Sequence, residues 1–514
     1  NVTAPTTLYA LKIDGGAIVG GGTLTLGDGT HTAGLIINGS AAGTPTLVTA
    51  PINFAAGSEG AVYVGGNGTS DYAEILGPVS GTNGLTKNGN GTLILEHATY
   101  TGTTTINDGT LELAYSGTGT PGFSSTSVVN LAGTLLYQGN GVPTASATIN
   151  LISDATIGSA TNASDINVAG TINGNGHALT VTGYPIELSG TQNNVSQYNI
   201  TNGFLQVAGM FGSATAPINV TATMAQTVLD LENGATVLDP VVLNEGNVGA
   251  VGSGTLSGSL TVGTEFGYVN AGTGTLTLSG AIQGNNPLYF ESAAGGTALV
   301  TGTSNTYTGT VELIEGNLAV TGNLSTANKV WVQGFNGGAA AVLSGTGTVG
   351  LINLAQYGKL APGMIGGTGT LTASSLVWNT DNTPQLEFQL STTSSASSLL
   401  NLGTGSLTLN GSSFAFDFQD SGGTGQDYTL ITFGAGETNA QISEFIADDL
   451  AAGVSGTFAL VTNGTTESLM FDTAAPVPEP ATNALLLAGI LGLLALNRAR
   501  RRLKSIPILN LLFL

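Results

Sequence analysis

Polar and apolar residues alternate along most of this chain, and the alternation restarts repeatedly after a glycine. The tripeptide Gly-Thr-Leu occurs seven times between residues 22 and 371, and residues 91–95 and 274–278 show the alternation clearly. A period of two that follows a turn residue predicts short strands with one buried face. Helical periodicity is absent before residue 481, apart from a weak patch at 441–450. The pattern therefore predicts an all-β fold.

The most complete repeat unit is residues 84–114, which hold two Gly-Thr-Leu strands. Its second half recurs 207 residues later, so that Tyr307 corresponds to Tyr100 and Leu318 to Leu111. One such unit cannot bury its own inner face, and therefore these units stack in arrays. We predict a core built from the inward aliphatic positions, namely Leu93, Leu95, Leu111, Leu113, Leu276, Leu278, Leu318 and Val320.

The unit at 84–114 closely resembles the autotransporter-associated β-strand repeat of passenger regions. The resemblance implies a right-handed parallel β-helix (β-solenoid), in which Asn-Gly and Asp-Gly pairs turn the corners. An antiparallel β-sandwich, or a string of them, is the alternative. We also predict a C-terminal β cap and a single C-terminal transmembrane helix.

Changes in pattern predict five segments. Residues 1–342 form the β-helix repeat region, and 343–472 form closing rungs and a β cap with longer, more aromatic strands. A cap is expected because an open end exposes unpaired strand edges. A proline-rich linker follows at 473–480, and a transmembrane helix with a basic cluster at 481–504. The apolar tail at 505–514 is either an extension that lies along the membrane or a translation artefact.

The C-terminal segment contains five of the nine basic residues of the chain within seven positions, 498–504. Residues 481–496 would form a helix of about 24 Å, which is short for a hydrocarbon core about 30 Å thick. Clustered arginines stay in the cytoplasm, which places the preceding chain outside it. The predicted membrane span contains Leu485, Leu486, Leu487, Ile490, Leu491, Leu493, Leu494 and Leu496. The predicted cytoplasmic cluster contains Arg498, Arg500, Arg501 and Arg502.

The sequence Val477-Pro478-Glu479-Pro480, followed by a short apolar helix and arginines, resembles the PEP-CTERM sorting signal of bacterial exported proteins. The resemblance implies recognition by an exosortase, a membrane protease-transpeptidase, and delivery to the cell surface or extracellular matrix. A buried C-terminal helix of a soluble domain is the alternative. Export also requires a leader, so we expect one before Asn1 that has been removed or is missing from this chain.

Composition narrows the possible functions. Residues 1–475 hold 30 of the 31 acidic residues but only Lys12, Lys87, Lys329 and Lys359 as basic ones. Such a surface repels nucleic acid, whose phosphates require lysine and arginine. The absence of cysteine excludes disulfides and thiol sites. We expect the membrane and an exosortase-like protease as partners, with extracellular polysaccharide as a candidate partner.

Catalytic chemistry has little support in the sequence. His31, His97 and His177 lack partners at metal-ligand spacing, and we predict no catalytic residue, metal site or cofactor. Residues 379–382 and Gly176-His177 resemble polygalacturonase motifs, but in reversed order, and Asp448-Asp449 is an isolated carboxylate pair. We therefore predict a structural or adhesive surface protein. A carbohydrate-active β-helix enzyme is the alternative, and an autotransporter passenger is a third hypothesis.

Overall fold

The structure is a computed structural model. Strands make up 55% of the residues that the structure describes. The structure describes residues 1–38, 45–65, 71–115, 127–139, 144–160, 166–222, 227–292, 295–379, 385–419, 422–450, 454–474, 490–498 and 500.

Strands β1 to β24, in chain order, span Thr6–Leu8, Ala10–Asp14, Ala17–Ile18, Leu24–Leu26, Ala33–Asn38, Thr46–Val48, Ile52–Phe54, Gly60–Gly65, Tyr72–Ile75, Val79–Ser80, Leu85–Asn88, Thr92–Leu95, Thr104–Ile106, Thr110–Tyr115, Val128–Leu131, Thr134–Gly139, Thr144–Ala145, Thr148–Leu151, Ala155–Ser159, Ile166–Val168, Ile172–Asn173, Ala178–Leu188, Gln192–Asn193 and Gln197–Val207.

Strands β25 to β52 span Met210–Phe211, Ile218–Thr221, Val228–Leu231, Thr236–Val237, Val241–Asn244, Asn247–Ala250, Gly254–Leu256, Leu260–Val262, Gly267–Asn270, Thr275–Leu278, Ile282–Gly284, Leu288–Glu291, Thr297–Val300, Thr310–Val320, Asn323–Leu324, Lys329–Val332, Ala341–Gly345, Thr348–Leu354, Gly358–Pro362, Thr370–Asn379, Gln385–Phe388, Leu399–Asn401, Leu407–Asn410, Phe414–Phe418, Asp427–Gly434, Phe445–Asp448, Gly456–Asn463 and Thr466–Thr473. Short 3₁₀ helices lie at Ser394–Ala396 and Ile442–Glu444, and residues 490–498 are helical.

These strands stack as the rungs of a β-solenoid. One sheet contains nine parallel strands in the order β2-β5-β8-β11-β13-β15-β18-β21-β23. A shorter parallel sheet has the order β1-β4-β7-β10. A third stack begins β3-β6-β9-β12-β14 and continues through the chain, and from β25 a fourth stack runs alongside it. Within the described part of residues 84–320 every strand pairing is parallel, apart from one isolated bridge between Thr221 and Glu245. The prediction of an all-β solenoid is confirmed.

The core is a set of ladders in which aliphatic residues of successive rungs lie directly opposite one another. One ladder is continuous over nine rungs and consists of Leu93, Leu111, Leu135, Ile157, Val181, Ile200, Val220, Leu243 and Val262. All eight predicted core positions are buried, at 1% exposure or less. Because alternate side chains of a strand point to opposite faces, one inward ladder fixes the outward ones as well.

The C-terminal end of the solenoid changes its pairing. Parallel rungs continue past residue 343 as far as Phe445–Asp448, so the weak helical patch at 441–450 contains a 3₁₀ turn and a strand. Beyond it, the hairpin formed by Gly456–Asn463 and Thr466–Thr473 pairs antiparallel with Asp427–Gly434. Phe458 and Phe471 pack together with ring centroids 5.0 Å apart. This hairpin covers the edge that the last parallel rung leaves open.

We predict that Leu111→Ala lowers the free energy of unfolding by about 2–5 kcal/mol, because a buried leucine leaves a cavity between two neighbouring rungs. Thr110→Ala, at the adjacent outward position, should change it by roughly 0.5 kcal/mol or less. Guanidinium unfolding measures both values. Hydrogen exchange should show the largest loss of protection in β12, β14 and β16. Equal effects of the two substitutions would contradict the inward assignment.

Candidate functional site

The sorting segment lies mostly outside the described residues. This holds for Val477, Pro478, Glu479, Pro480, Leu485, Leu486, Leu487, Arg501 and Arg502. The described part, 490–498, is helical, and its large apolar side chains are 47–67% exposed, namely those of Ile490, Leu491, Leu493, Leu494 and Leu496. Arg498 and Arg500 are exposed as well. Among the described residues, no helix is both long enough and apolar enough to cross a membrane.

The repeat unit at 84–114 forms four strands on two neighbouring rungs. Leu93 of β12 lies opposite Leu111 of β14. The corner at Gly109 joins β13 to β14. Gly109 has φ of +64°, and a Cβ atom there would lie 2.5 Å from two backbone carbonyl oxygens of the preceding rung. Tyr100 is buried, and its hydroxyl lies 2.8 Å from the Thr104 hydroxyl. Burial raises the pKa of Tyr100, so it stays neutral.

Lys87 is the one basic side chain that this unit buries. Its Nζ donates hydrogen bonds to the carbonyl oxygens of Asn88, Gly89 and Asp108, at 3.0, 2.7 and 3.2 Å. The first two carbonyls belong to one corner and the third to the corner of the next rung. Burial lowers the pKa of Lys87 to about 8, and the charge of Asp108 acts in the opposite direction. The hydrogen bonds of Lys87 therefore connect the corners of two successive rungs.

Asparagine side chains form hydrogen-bonded ladders on the outer surface. Asn150, Asn173 and Asn193 each donate from Nδ2 to the Oδ1 of the asparagine one rung earlier, at 2.8–3.2 Å. Asn379 donates to Asn353 in the same way, at 2.8 Å. Asn379 begins the sequence that resembles a polygalacturonase motif, whose remaining positions lie outside the described residues. Its side chain therefore has a place in a structural ladder.

Bulky side chains occupy outward positions on four neighbouring rungs of one sheet. Tyr268 lies opposite Tyr289, and Tyr289 lies opposite Glu312. Glu312 in turn lies opposite Trp331. The two tyrosine rings stack with centroids 5.1 Å apart, and Phe266 packs edge-on against both. We call Phe266, Tyr268, Tyr289 and Trp331 the aromatic strip.

The aromatic strip carries one negative and one positive group. Partial burial raises the pKa of Glu312, and the nearby charge of Lys329 opposes that shift. Nζ of Lys329 lies 4.3 Å from the ring centroid of Trp331, which is a cation–π contact. Partial burial, and then the charge of Glu312, raises the pKa of Tyr289. The aromatic strip is therefore flanked by one acidic and one basic side chain, Glu312 and Lys329, whose charges are of opposite sign.

Sequence reasoning did not identify the aromatic strip, although a signal was present. Tyr268, Tyr289 and Trp331 each lie between two buried residues in their own strands, at positions where this chain mostly places Thr, Asn or Ser. Rung length varies, however, and only the register of the folded chain shows that the three positions are neighbours.

The three histidines lie in turns or beside single carboxylates. Nδ1 of His31 is 2.8 Å from Oδ2 of Asp28. The backbone N–H of Thr30, followed by the ring and backbone of His31, holds the pKa of Asp28 well below its usual range. Nδ1 of His177 lies 3.8 Å from Oδ1 of Asp154, and His97 is exposed. The described residues contain no group of three metal-ligating side chains.

Two carboxylates lie side by side near the C-terminal end of the solenoid, where Glu387 is opposite Asp417. Lys359 Nζ is 3.8 Å from Glu387 and 3.9 Å from Asp417, and Gln419 donates to Asp417 at 2.6 Å. Burial raises the pKa of Glu387, and Lys359 opposes the shift. Asp448 lies one rung further, opposite Asp417, and is exposed. The arrangement is an ion-paired cluster whose two inner carboxylates share one lysine.

Comparison with known proteins identifies both segments that the sequence singled out. Residues 85–113 match the passenger-associated-transport-repeat. Residues 476–502 match the PEP-CTERM protein-sorting motif. Both resemblances are confirmed. The two matches together cover well under half of the chain.

A structural likeness is also found to the crystal structure of the Haemophilus influenzae Hap adhesin. The identity is 13% and the TM-score is 0.23, with 88% of this chain and 64% of that chain covered. The chain thus spans less than two thirds of that protein's length, and at this TM-score the likeness supports no functional argument. No curated protein matches the sequence.

The two matched segments imply an exported, surface-associated protein. The sorting motif implies processing by an exosortase membrane enzyme. The solenoid therefore belongs outside the cytoplasm, and its outward surface is the part available to partners.

We predict that the contribution of Lys87 to stability depends on pH. The pKa of this lysine is lower in the folded chain, about 8, than the ordinary lysine value. Between pH 8 and 10.5 the unfolded chain therefore binds more protons, and stability rises with pH. The free energy of unfolding of the wild type, minus that of Lys87→Met, should increase by roughly 3 kcal/mol over this range. Guanidinium unfolding at several pH values measures this difference. A difference that stays constant or falls with pH would show that burial does not lower the pKa of Lys87.

Proposed function

We propose that this protein is a non-catalytic surface or extracellular-matrix protein, of structural or adhesive type, that an exosortase-type enzyme processes. The observation that carries the proposal is the PEP-CTERM match at 476–502, which directly follows the closing hairpin of a β-solenoid. The solenoid offers a long, rigid surface, which suits contact with a matrix. Among the described residues, no group of three side chains could hold a metal ion.

The sorting step follows from the chemistry of the tail. Pro478 and Pro480 lack backbone donors and favour an extended chain, which is the form a protease cleft binds. Glu479 supplies the one charge of this linker for specific pairing. In this proposal residues 481–496 hold the linker at the outer membrane face as a transmembrane helix. The cluster of Arg498, Arg500, Arg501 and Arg502 fixes the orientation from the cytoplasm.

Partners follow from charge and surface chemistry. The acidic residues 1–475 disfavour nucleic acid. Outward positions include stacked threonines, as in the pair Thr110 and Thr134, and the asparagine ladder. These side chains carry donors and acceptors of the kind that hydroxyl-rich ligands bind. We therefore propose extracellular polysaccharide as the matrix partner.

Processing is tested by expressing the full chain with and without an exosortase, together with Glu479→Ala. With the enzyme, the wild type should lose its membrane-bound, full-length form and yield a shorter product, because Glu479 is present for pairing. Glu479→Ala should stay full length in the membrane fraction. Glu437→Ala, an exposed acidic position in the solenoid, is the matched control and should be processed like the wild type. If the full-length membrane form persists unchanged in every strain, processing is refuted and the C-terminal segment acts only as a membrane anchor.

The alternative, a carbohydrate-active enzyme, depends on the pair Glu387 and Asp417. Paired carboxylates are the machinery of glycoside hydrolysis, but here both carboxylates form an ion pair with the same lysine, Lys359. We predict that the purified chain releases no reducing sugar from uncharged or acidic polysaccharides, and that Glu387→Gln and Asp417→Asn leave this result unchanged. Glycan cleavage that either substitution abolishes would establish the enzyme instead.

A further inference from the structure

The aromatic strip places half-buried rings on the outer surface of a protein that fully buries many of its largest side chains. Trp378, Tyr137, Tyr198, Tyr307 and Tyr428 are all fully buried. Tyr268, Tyr289 and Trp331 instead occupy outward positions between buried neighbours. Outward positions need no aromatic residue for core packing. Contacts among these rings and the contact of Lys329 with Trp331 stabilise the sheet, and the outer side of the same rings can also hold a ligand that stacks on them.

Geometry determines the shape of that ligand. Successive rungs are about 4.8 Å apart, so the three steps from Tyr268 to Trp331 cover about 14 Å along the solenoid axis. Asn247 lies opposite Tyr268 on one side, and Asn353 lies opposite Trp331 on the other. The strip is therefore a narrow aromatic track with an amide at each end. A track of this form fits an extended chain whose flat units repeat at nearly the rung spacing.

Charge determines the class of that chain. Glu312 lies between Tyr289 and Trp331, and the surrounding solenoid is strongly acidic. Both repel acidic glycans. Lys329, the only cation of the site within the described residues, already lies over the Trp331 ring. Uncharged pyranose rings present apolar C–H faces for stacking and hydroxyls that can hydrogen-bond the tyrosine hydroxyls, and a tyrosine side chain has such an apolar body with a polar tip.

We propose that the aromatic strip, with Asn247 and Asn353 at its ends, binds an uncharged polysaccharide whose chain runs along the solenoid axis. This inference rests on the proposed surface location and names the site for the polysaccharide partner. It is independent of exosortase processing, because the strip lies far from the sorting segment in the sequence and needs no cleavage to bind.

The test is affinity electrophoresis of the full chain in mild detergent, in gels that contain a soluble β-glucan, dextran or polygalacturonate. The wild type should be retarded by at least one of the two uncharged polysaccharides and not by polygalacturonate. Tyr289→Ala and Trp331→Ala should each weaken that binding roughly tenfold or more, as expected for the loss of one stacking ring. Tyr289→Phe keeps the ring and should retain the binding.

Tyr63→Ala is the matched control, because Tyr63 is an outward tyrosine of another sheet with 45% exposure. It should bind like the wild type. Circular dichroism confirms that each variant is folded. The proposal is overturned if no uncharged polysaccharide retards the wild type, or if the strip variants and Tyr63→Ala behave alike. Either result would leave the processing experiment and the surface location unaffected.

Discussion

The structure depends on the register between successive parallel rungs. No rung covers its own inner face, so each aliphatic side chain is buried by the residue at the same position one rung before and one rung after. The ladder from Leu93 to Val262 shows the result over nine rungs. A slip of one residue would turn every side chain of a strand to the opposite face. Each corner must therefore turn the chain without a change of register. Gly109 allows such a turn through its positive φ, and Lys87 holds two corners together through hydrogen bonds.

The same register organises the outer surface. Once the inward ladders are fixed, outward residues of neighbouring rungs stack as well, which aligns the asparagines into hydrogen-bonded ladders. Tyr268, Tyr289 and Trp331 become neighbours for the same reason, although 63 residues separate the first from the last. A binding surface on such a protein is thus a property of several rungs, and it extends along the solenoid axis.

Much of the architecture is predictable because its signals are local. Alternation identifies the inward face within one strand, and so Leu111 and Leu318 are assigned to the core from sequence alone. The Pro-Glu-Pro motif and the arginine cluster are also local. The aromatic strip is different, because rung lengths vary and only the folded register brings Tyr289 next to Glu312 and Trp331. The closing antiparallel hairpin depends on long-range pairing in the same way, since nothing local to residues 456–473 specifies Asp427–Gly434 as the partner.

The distribution of charge divides the chain into a strongly acidic solenoid and a basic C-terminal segment. In the proposed function the solenoid goes to the surface or matrix, and the tail serves delivery. Mass spectrometry of the C-terminal peptide of the surface-located protein, from cells that contain an exosortase, tests this most directly. The account predicts a C-terminus at or near Pro478-Glu479-Pro480, without residues 484–514. A surface protein that retains the arginine cluster would contradict it.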